Sequence, residues 1–225
     1  DHRDLHRLIR RQRQMCIRDS LILGIKMGRR CFLPEVEPDK WEVAVKRVLE
    51  GDYILDKRWR LKIVVDREKL ADVLNEVVVT SEEPGEAIGV VVYTDKGEIL
   101  RSNVCDGVII ATPTGSLAYS LSAGGPIIHL KLDAIAITLL NPWPLSGLTV
   151  KSMVLPSNLP LKVKVKTKRN HYLVVLDGQQ RRLVKASLHV TVSKSEREVR
   201  FVRFTPNKWL LNAFRWEAWQ GLSVQ

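Results

Sequence analysis

A chain of 225 residues, 45% of them hydrophobic, is long enough to bury one large domain, or one domain and a fragment of another. Its formal net charge of +11, from 36 basic and 25 acidic residues, points to an anionic partner: nucleic acid, a membrane surface or a phosphorylated small molecule. No run of about 18 apolar residues occurs and the Arg-rich start has no apolar core, which argues against a membrane span or secretory signal and makes the cytoplasm the expected location.

Residues 1–20 hold six Arg and three acids without a helical or strand period, and they stop abruptly before an apolar run. They read as a non-native leader, similar to a translated cloning remnant, with a genuine basic tail as the alternative. From Leu21, LILGI reads as a buried strand that leaves through Gly28. Pro38 then opens a helix whose Trp41, Val45, Val48 and Leu49 recur at helical spacing until Gly51, a face expected to pack in a core. Short strands follow: YILDKRWRLKIVV, EVVVT, IGVVVY, EILRSNV, GVIIAT, AIAITLL, LKVKVKT, YLVVLDG, LHVTVS and EVRFVRF. Asp95-Lys96-Gly97 is a hairpin signal. Lys162, Lys164 and Lys166 alternate along one strand, either as a solvated outer face or as a nucleic-acid stripe. SLAYSLSAGG reads as a short helix beginning near Ser116, and NKWLLNAFRWEAW places Trp209, Ala213 and Trp216 on one helical face. Cys16, Cys31 and Cys105 are odd in number with no CxxC spacing, which fits reduced thiols and gives no metal ligands.

One stretch carries chemistry. Asp106-Gly107 precedes the strand VIIA, which runs into Thr112-Pro113-Thr114-Gly115-Ser116, a hydroxyl-rich loop that opens a helix. Small residues let backbone amides approach a ligand, and free N–H groups at a helix start favour anions or ring nitrogens. In isolation such a loop is more often simply a capped strand-to-helix turn.

The whole run DGVIIATPTGSLAYSLSAGGPI closely resembles the DG…TPTGSTAYSLSAGGP signature of NAD kinases. LNEVVV at residues 74–79 resembles that family's Asn-Glu motif, LGIKMGRRCFLPEV its GINxGxxGFLxEV, and LDGQ at residues 176–179 a further motif in the same order. The resemblance implies phosphorylation of the 2′-hydroxyl of the adenosine ribose of NAD to give NADP, with ATP or polyphosphate as donor and a divalent cation, Mg, beside it. It implies ribose contacts from Asn75 and Glu76, chemically apt because a carboxylate and a carboxamide can accept from and donate to neighbouring hydroxyls. Ala118 and Tyr119 would border the dinucleotide, and Asp106 would lie near its nicotinamide end, in the family sometimes across a subunit boundary. Thr114, Ser116, Ser120, Ser122 and Gln179 are further polar candidates, and a homo-oligomer is expected.

Several positions depart from the family pattern. Leu117 stands where the family has a threonine that bonds adenine, Lys26 where it has asparagine, Cys31 where it has glycine and Trp143 where it often has histidine. No GGDGT occurs, the segment whose glycines admit ATP phosphates and whose aspartate activates the 2′-hydroxyl, so no catalytic residue is assigned. The expected fold is mostly β with α: an NAD-kinase-type β-sandwich over residues 52–204 that binds NAD. Residues 21–51 would be the remnant of an N-terminal α/β domain, on which a helix at 205–225 docks. The expected activity is that of a truncated NAD kinase, inactive as written. The alternatives are a non-catalytic NAD-binding paralogue and, third, a basic nucleic-acid-binding β module.

Overall fold

Period-two alternation organises most of the chain into strands, as residues 161–166 illustrate: Leu161, Val163 and Val165 are buried while Lys162, Lys164 and Lys166 face outward. The computed structural model describes residues 20–27, 33–144 and 150–206. The strands are β1 (Leu21–Ile22), β2 (Ile54–Val65), β3 (Glu68–Lys69), β4 (Glu76–Thr80), β5 (Ile88–Thr94), β6 (Gly97–Cys105), β7 (Gly107–Ala111), β8 (Ala134–Leu140), β9 (Ser152–Pro156), β10 (Leu161–Lys166), β11 (His171–Leu176), β12 (Gln180–Lys185) and β13 (Val190–Arg203). The α-helices are α1 (Trp41–Leu49) and α2 (Tyr119–Ser122), each preceded by a single 3-10 turn. The chain divides into two units, residues 1–58 with 198–225 and residues 59–197. β2 and β13 each pass from one unit to the other.

The unit of residues 59–197 is a sandwich of two sheets. One runs β3-β2-β13-β10-β5-β6, and the other β12-β11-β4-β7-β8-β9 with every neighbour antiparallel. The core between them takes Val77 and Val79 from β4, Val108 and Ile110 from β7, Ile135 and Ile137 from β8, and Val90, Val92, Leu161 and Val163 from the facing sheet. The opposite face of the second sheet is buried too: Val78, Ile109, Ala111 and Ala136 pack with Ile128, which follows α2. Covering both faces of β4 and β7 fixes the ends of these strands, where the candidate site lies.

The mostly β architecture and the Asp95–Gly97 hairpin are as the sequence predicts. LHVTVS and EVRFVRF are one strand, not two, because the polar stretch between them stays extended, with the Ser195 hydroxyl donating to Asp72 at 2.8 Å. β9 and β12 escape the sequence reading. Both are edge strands, where Pro156 and the charges of QRRLVK are tolerated and the apolar alternation fades.

In the unit of residues 1–58 and 198–225, β1 runs parallel to β13 through Leu21↔Arg200 and Ile22↔Phe201. The buried Arg203 donates to Asp56 at 3.0 Å and to the Leu33 carbonyl. LILGI contributes only two strand residues, and Leu21 is 41% exposed, so the buried strand expected there is short and marginal. Helix α1 forms where predicted, but its face is not core. Ala44 is its buried residue, while Trp41 is 49% and Leu49 83% exposed, because among the described residues nothing packs over that side. The predicted 205–225 helix, with Trp209, Ala213 and Trp216, lies outside the described residues beyond Pro206, as do Gly28 and Cys31.

Candidate functional site

β4 begins, and β7 and β11 end, at the same end of the second sheet, because each pairs antiparallel with its neighbour: Glu76 lies opposite Ala111, and Val77 opposite Leu176. Three connections therefore meet there: Leu74–Asn75 entering β4, Thr112–Ala118 leaving β7, and Asp177–Gln179 turning β11 into β12. Thr112 ties the first two together. Its N–H donates to the Asn75 carbonyl at 2.9 Å, its hydroxyl donates to the Leu74 carbonyl at 2.6 Å, and that same hydroxyl accepts the Gly115 N–H at 3.1 Å. Gly115 is packed so closely that a Cβ there would lie 1.9 Å from the Asn75 carbonyl oxygen, so only glycine fits.

Asp177 ties the first connection to the third. Its carboxylate accepts the N–H of Leu74 at 2.9 Å, of Asn75 at 2.7 Å and of Glu76 at 3.2 Å, while its own N–H donates to the Glu76 carbonyl at 3.0 Å. Asp177 and Gly178 have φ of 47° and 65°, both left-handed, at the centre of a turn closed by the Gln179 N–H donating to the Leu176 carbonyl at 3.0 Å.

The electrostatics set two carboxyl groups apart. Glu76 is 5% exposed and its Oε2 has no hydrogen-bond partner among the described residues. Burial, and then the negative charge of Asp177, push its carboxyl up to about 7. Burial pushes Asp177 up as well, opposed by the three backbone N–H bonds and by Arg60. Glu76 is thus the group poised to exchange a proton near neutrality, while at Asp177 the three backbone N–H bonds and Arg60 favour the ionised form against its burial.

The remaining candidates fall into three groups. Leu117 and Ala118 are half-buried, and Tyr119, 47% exposed, offers its ring from the start of α2; Ser122 and Gln179 are exposed. Thr114 is buried within the loop. Ser116 and Ser120 are fully buried with their hydroxyls in structural use: Ser116 accepts the Ile128 N–H at 2.8 Å, and Ser120 shares a 3.2 Å hydrogen bond with Thr138. Asp106 stands apart. It precedes β7 at its other end, about 20 Å along the strand from Thr112, where its Oδ2 accepts from Asn141 at 2.7 Å. The site residues that the sequence reading leaves unassigned are Asp177 and Thr112. Asp-Gly between two strands was a turn signal for the first, and a threonine ending a buried strand gave little for the second.

Among the described residues no group of three or more His, Cys, Asp or Glu side chains that could hold a metal ion is found. No described helix is long and apolar enough to cross a membrane.

Residues 74–204 match the ATP-NAD kinase C-terminal domain, a segment that holds both the sandwich strands β4 to β13 and the three converging connections. The chain belongs to the NAD kinase family. The NAD kinase of Thermococcus sibiricus is 39% identical over 188 residues, covering 84% of this chain and 66% of that protein. That of Pyrococcus furiosus is 36% identical over 199 residues, covering 88% and 70%. This chain therefore spans roughly two thirds of the length of such relatives. Among solved structures, an NAD kinase from Archaeoglobus fulgidus in complex with ATP matches with a TM-score of 0.74 at 28% identity, over 91% of this chain and 75% of that chain. Yeast NADH kinase complexed with NADH matches in fold, with a TM-score of 0.79 at 21% identity, over 92% of this chain and 61% of that chain.

Proposed function

We propose that this chain is the dinucleotide-binding part of an NAD kinase, presenting the adenosine ribose of NAD for phosphorylation at its 2′-hydroxyl. The observation that carries the reading is the buried Glu76 carboxylate with an unpartnered oxygen, at the meeting point of three fixed connections. A ribose diol offers hydroxyl donors for that oxygen, and the exposed ring of Tyr119 supplies a surface for the ligand to pack against. In the complete reaction the bond from the γ-phosphorus to its bridging oxygen breaks, a bond to the ribose 2′-oxygen forms, and the hydroxyl proton passes to a base. By resemblance that base is the GGDGT aspartate, and these 225 residues contain no GGDGT. The role proposed for this chain is binding and orientation, with ATP and its cation engaged by the GGDGT segment. The complex with ATP described for the Archaeoglobus fulgidus relative supports ATP as donor. The position of Asp106, away from the converging connections, supports a homo-oligomer in which it completes a neighbour's site.

Calorimetric titration of NAD into the chain tests the reading. Saturable binding is expected, weakened at least tenfold by Glu76→Ala, since hydrogen bonds to a charged group contribute about 1.5–3 kcal/mol, and weakened also by Tyr119→Ala. Equal affinity in all three proteins would contradict it.

A further inference from the structure

We propose that Asp177 is a positioning residue of the site: by accepting three consecutive backbone N–H groups it fixes the Asn75-Glu76 pair in the orientation that meets the ribose, without touching the ligand itself. The proposal rests on the dinucleotide-binding reading and deepens it.

The geometry is specific. The Oδ2 of Asp177 takes the Leu74 N–H and its Oδ1 takes those of Asn75 and Glu76, at 2.9, 2.7 and 3.2 Å. All three donors sit where the chain enters β4, ahead of the β4–β11 ladder that begins at Val77. Without this carboxylate they would be part-buried donors lacking partners, a costly arrangement. Asp177 can reach them because its φ of 47° turns the hairpin back towards β4, and its N–H bond to the Glu76 carbonyl closes the ring of contacts. Its lone pairs are directed at backbone, leaving the carboxylate of Glu76 as the one with a free oxygen for a ligand.

The same arrangement couples the site to pH. Among the described residues, the charged groups facing the pair are these: Asp177 faces Glu76 and also Arg60 of β2, which itself faces Asp72 at 3.9 Å and Arg197 of β13. An ionised Asp177 opposes ionisation of Glu76, so ribose binding should strengthen as pH rises through neutrality. Neutralising Asp177 should move that midpoint to lower pH even as it loosens the segment.

Asp177→Asn is the test, because asparagine tolerates the left-handed turn and keeps the volume while removing the charge and one acceptor. Expected at pH 8 is at least a tenfold loss of NAD affinity, with the pH midpoint of binding moved down. A role confined to holding the fold together would lower the folded fraction and leave the midpoint where it was. In the unaltered chain, the amides of Leu74, Asn75 and Glu76 should resist hydrogen exchange, and their NMR shifts should follow the titration of Glu76. NAD binding that Glu76→Ala abolishes but Asp177→Asn leaves unchanged in affinity and midpoint would overturn this proposal alone, as would free exchange of the three amides. Absence of NAD binding to the unaltered chain would overturn the functional reading and this inference with it.

Discussion

Glu76, the proposed ribose contact, sits at odds with stability. Its carboxyl is buried, shares its surroundings with Asp177 and is pushed up to about 7, so the folded state holds its proton more tightly than the unfolded chain does. The sign follows directly: its contribution is fully present below the unfolded value near 4.5 and is lost as pH rises through about 7. Glu76→Gln, permanently neutral, should therefore match the original chain in urea unfolding at pH 4 and exceed it at pH 8, by on the order of 3 kcal/mol. Equal stabilities at pH 8 would show that the carboxylate is better solvated than its burial indicates. The residue was singled out in the sequence through the resemblance of its Asn-Glu pair and the TPTGS loop to NAD kinase motifs. Its proton affinity was not legible there, since that depends on burial in the folded state and then on Asp177, 101 residues away in the chain.

At the scale of elements, the site is made by strand ends, and the sequence displays strands better than their ends. Alternation in LKVKVK and the apolar run GVIIA announce β10 and β7 plainly. The pairing that sets Glu76 opposite Ala111 is long-range and leaves no periodic trace. Edge strands β9 and β12 were hidden for the opposite reason, because exposure frees them to carry proline and charge. Thr112 shows what the pairing holds in place. Thr112→Val keeps the shape but strips the hydroxyl from both the Leu74 carbonyl and the Gly115 N–H. Thermal unfolding should register a loss of about 2 kcal/mol or more, with weaker NAD binding because the loop and the Asn75-Glu76 segment come apart. An unchanged melting temperature would mean that water replaces the hydroxyl without cost.

For the molecule as a whole, charge and site point in different directions, and the structure separates them. Lys164 and Lys166 of β10 stand with Arg101 and His189 around a pocket of about 300 Å³ on the sheet that does not carry the converging connections. Arg101 is already paired with Glu98 at 2.8 Å and Lys164 lies 5.2 Å from the Tyr93 ring centre, as on a solvated face. The net charge of +11 is thus weak guidance to where the ligand binds, although it was the first feature the composition offered. The choice between a nucleotide site and a basic interaction face is settled most directly by mapping amide NMR shifts of the isotope-labelled chain during titration with NAD. The account predicts saturable shifts at Leu74 to Glu76, Leu117 to Tyr119, and Gln179, with Lys162, Lys164 and Lys166 unmoved. Shifts confined to those lysines and their neighbours would contradict it.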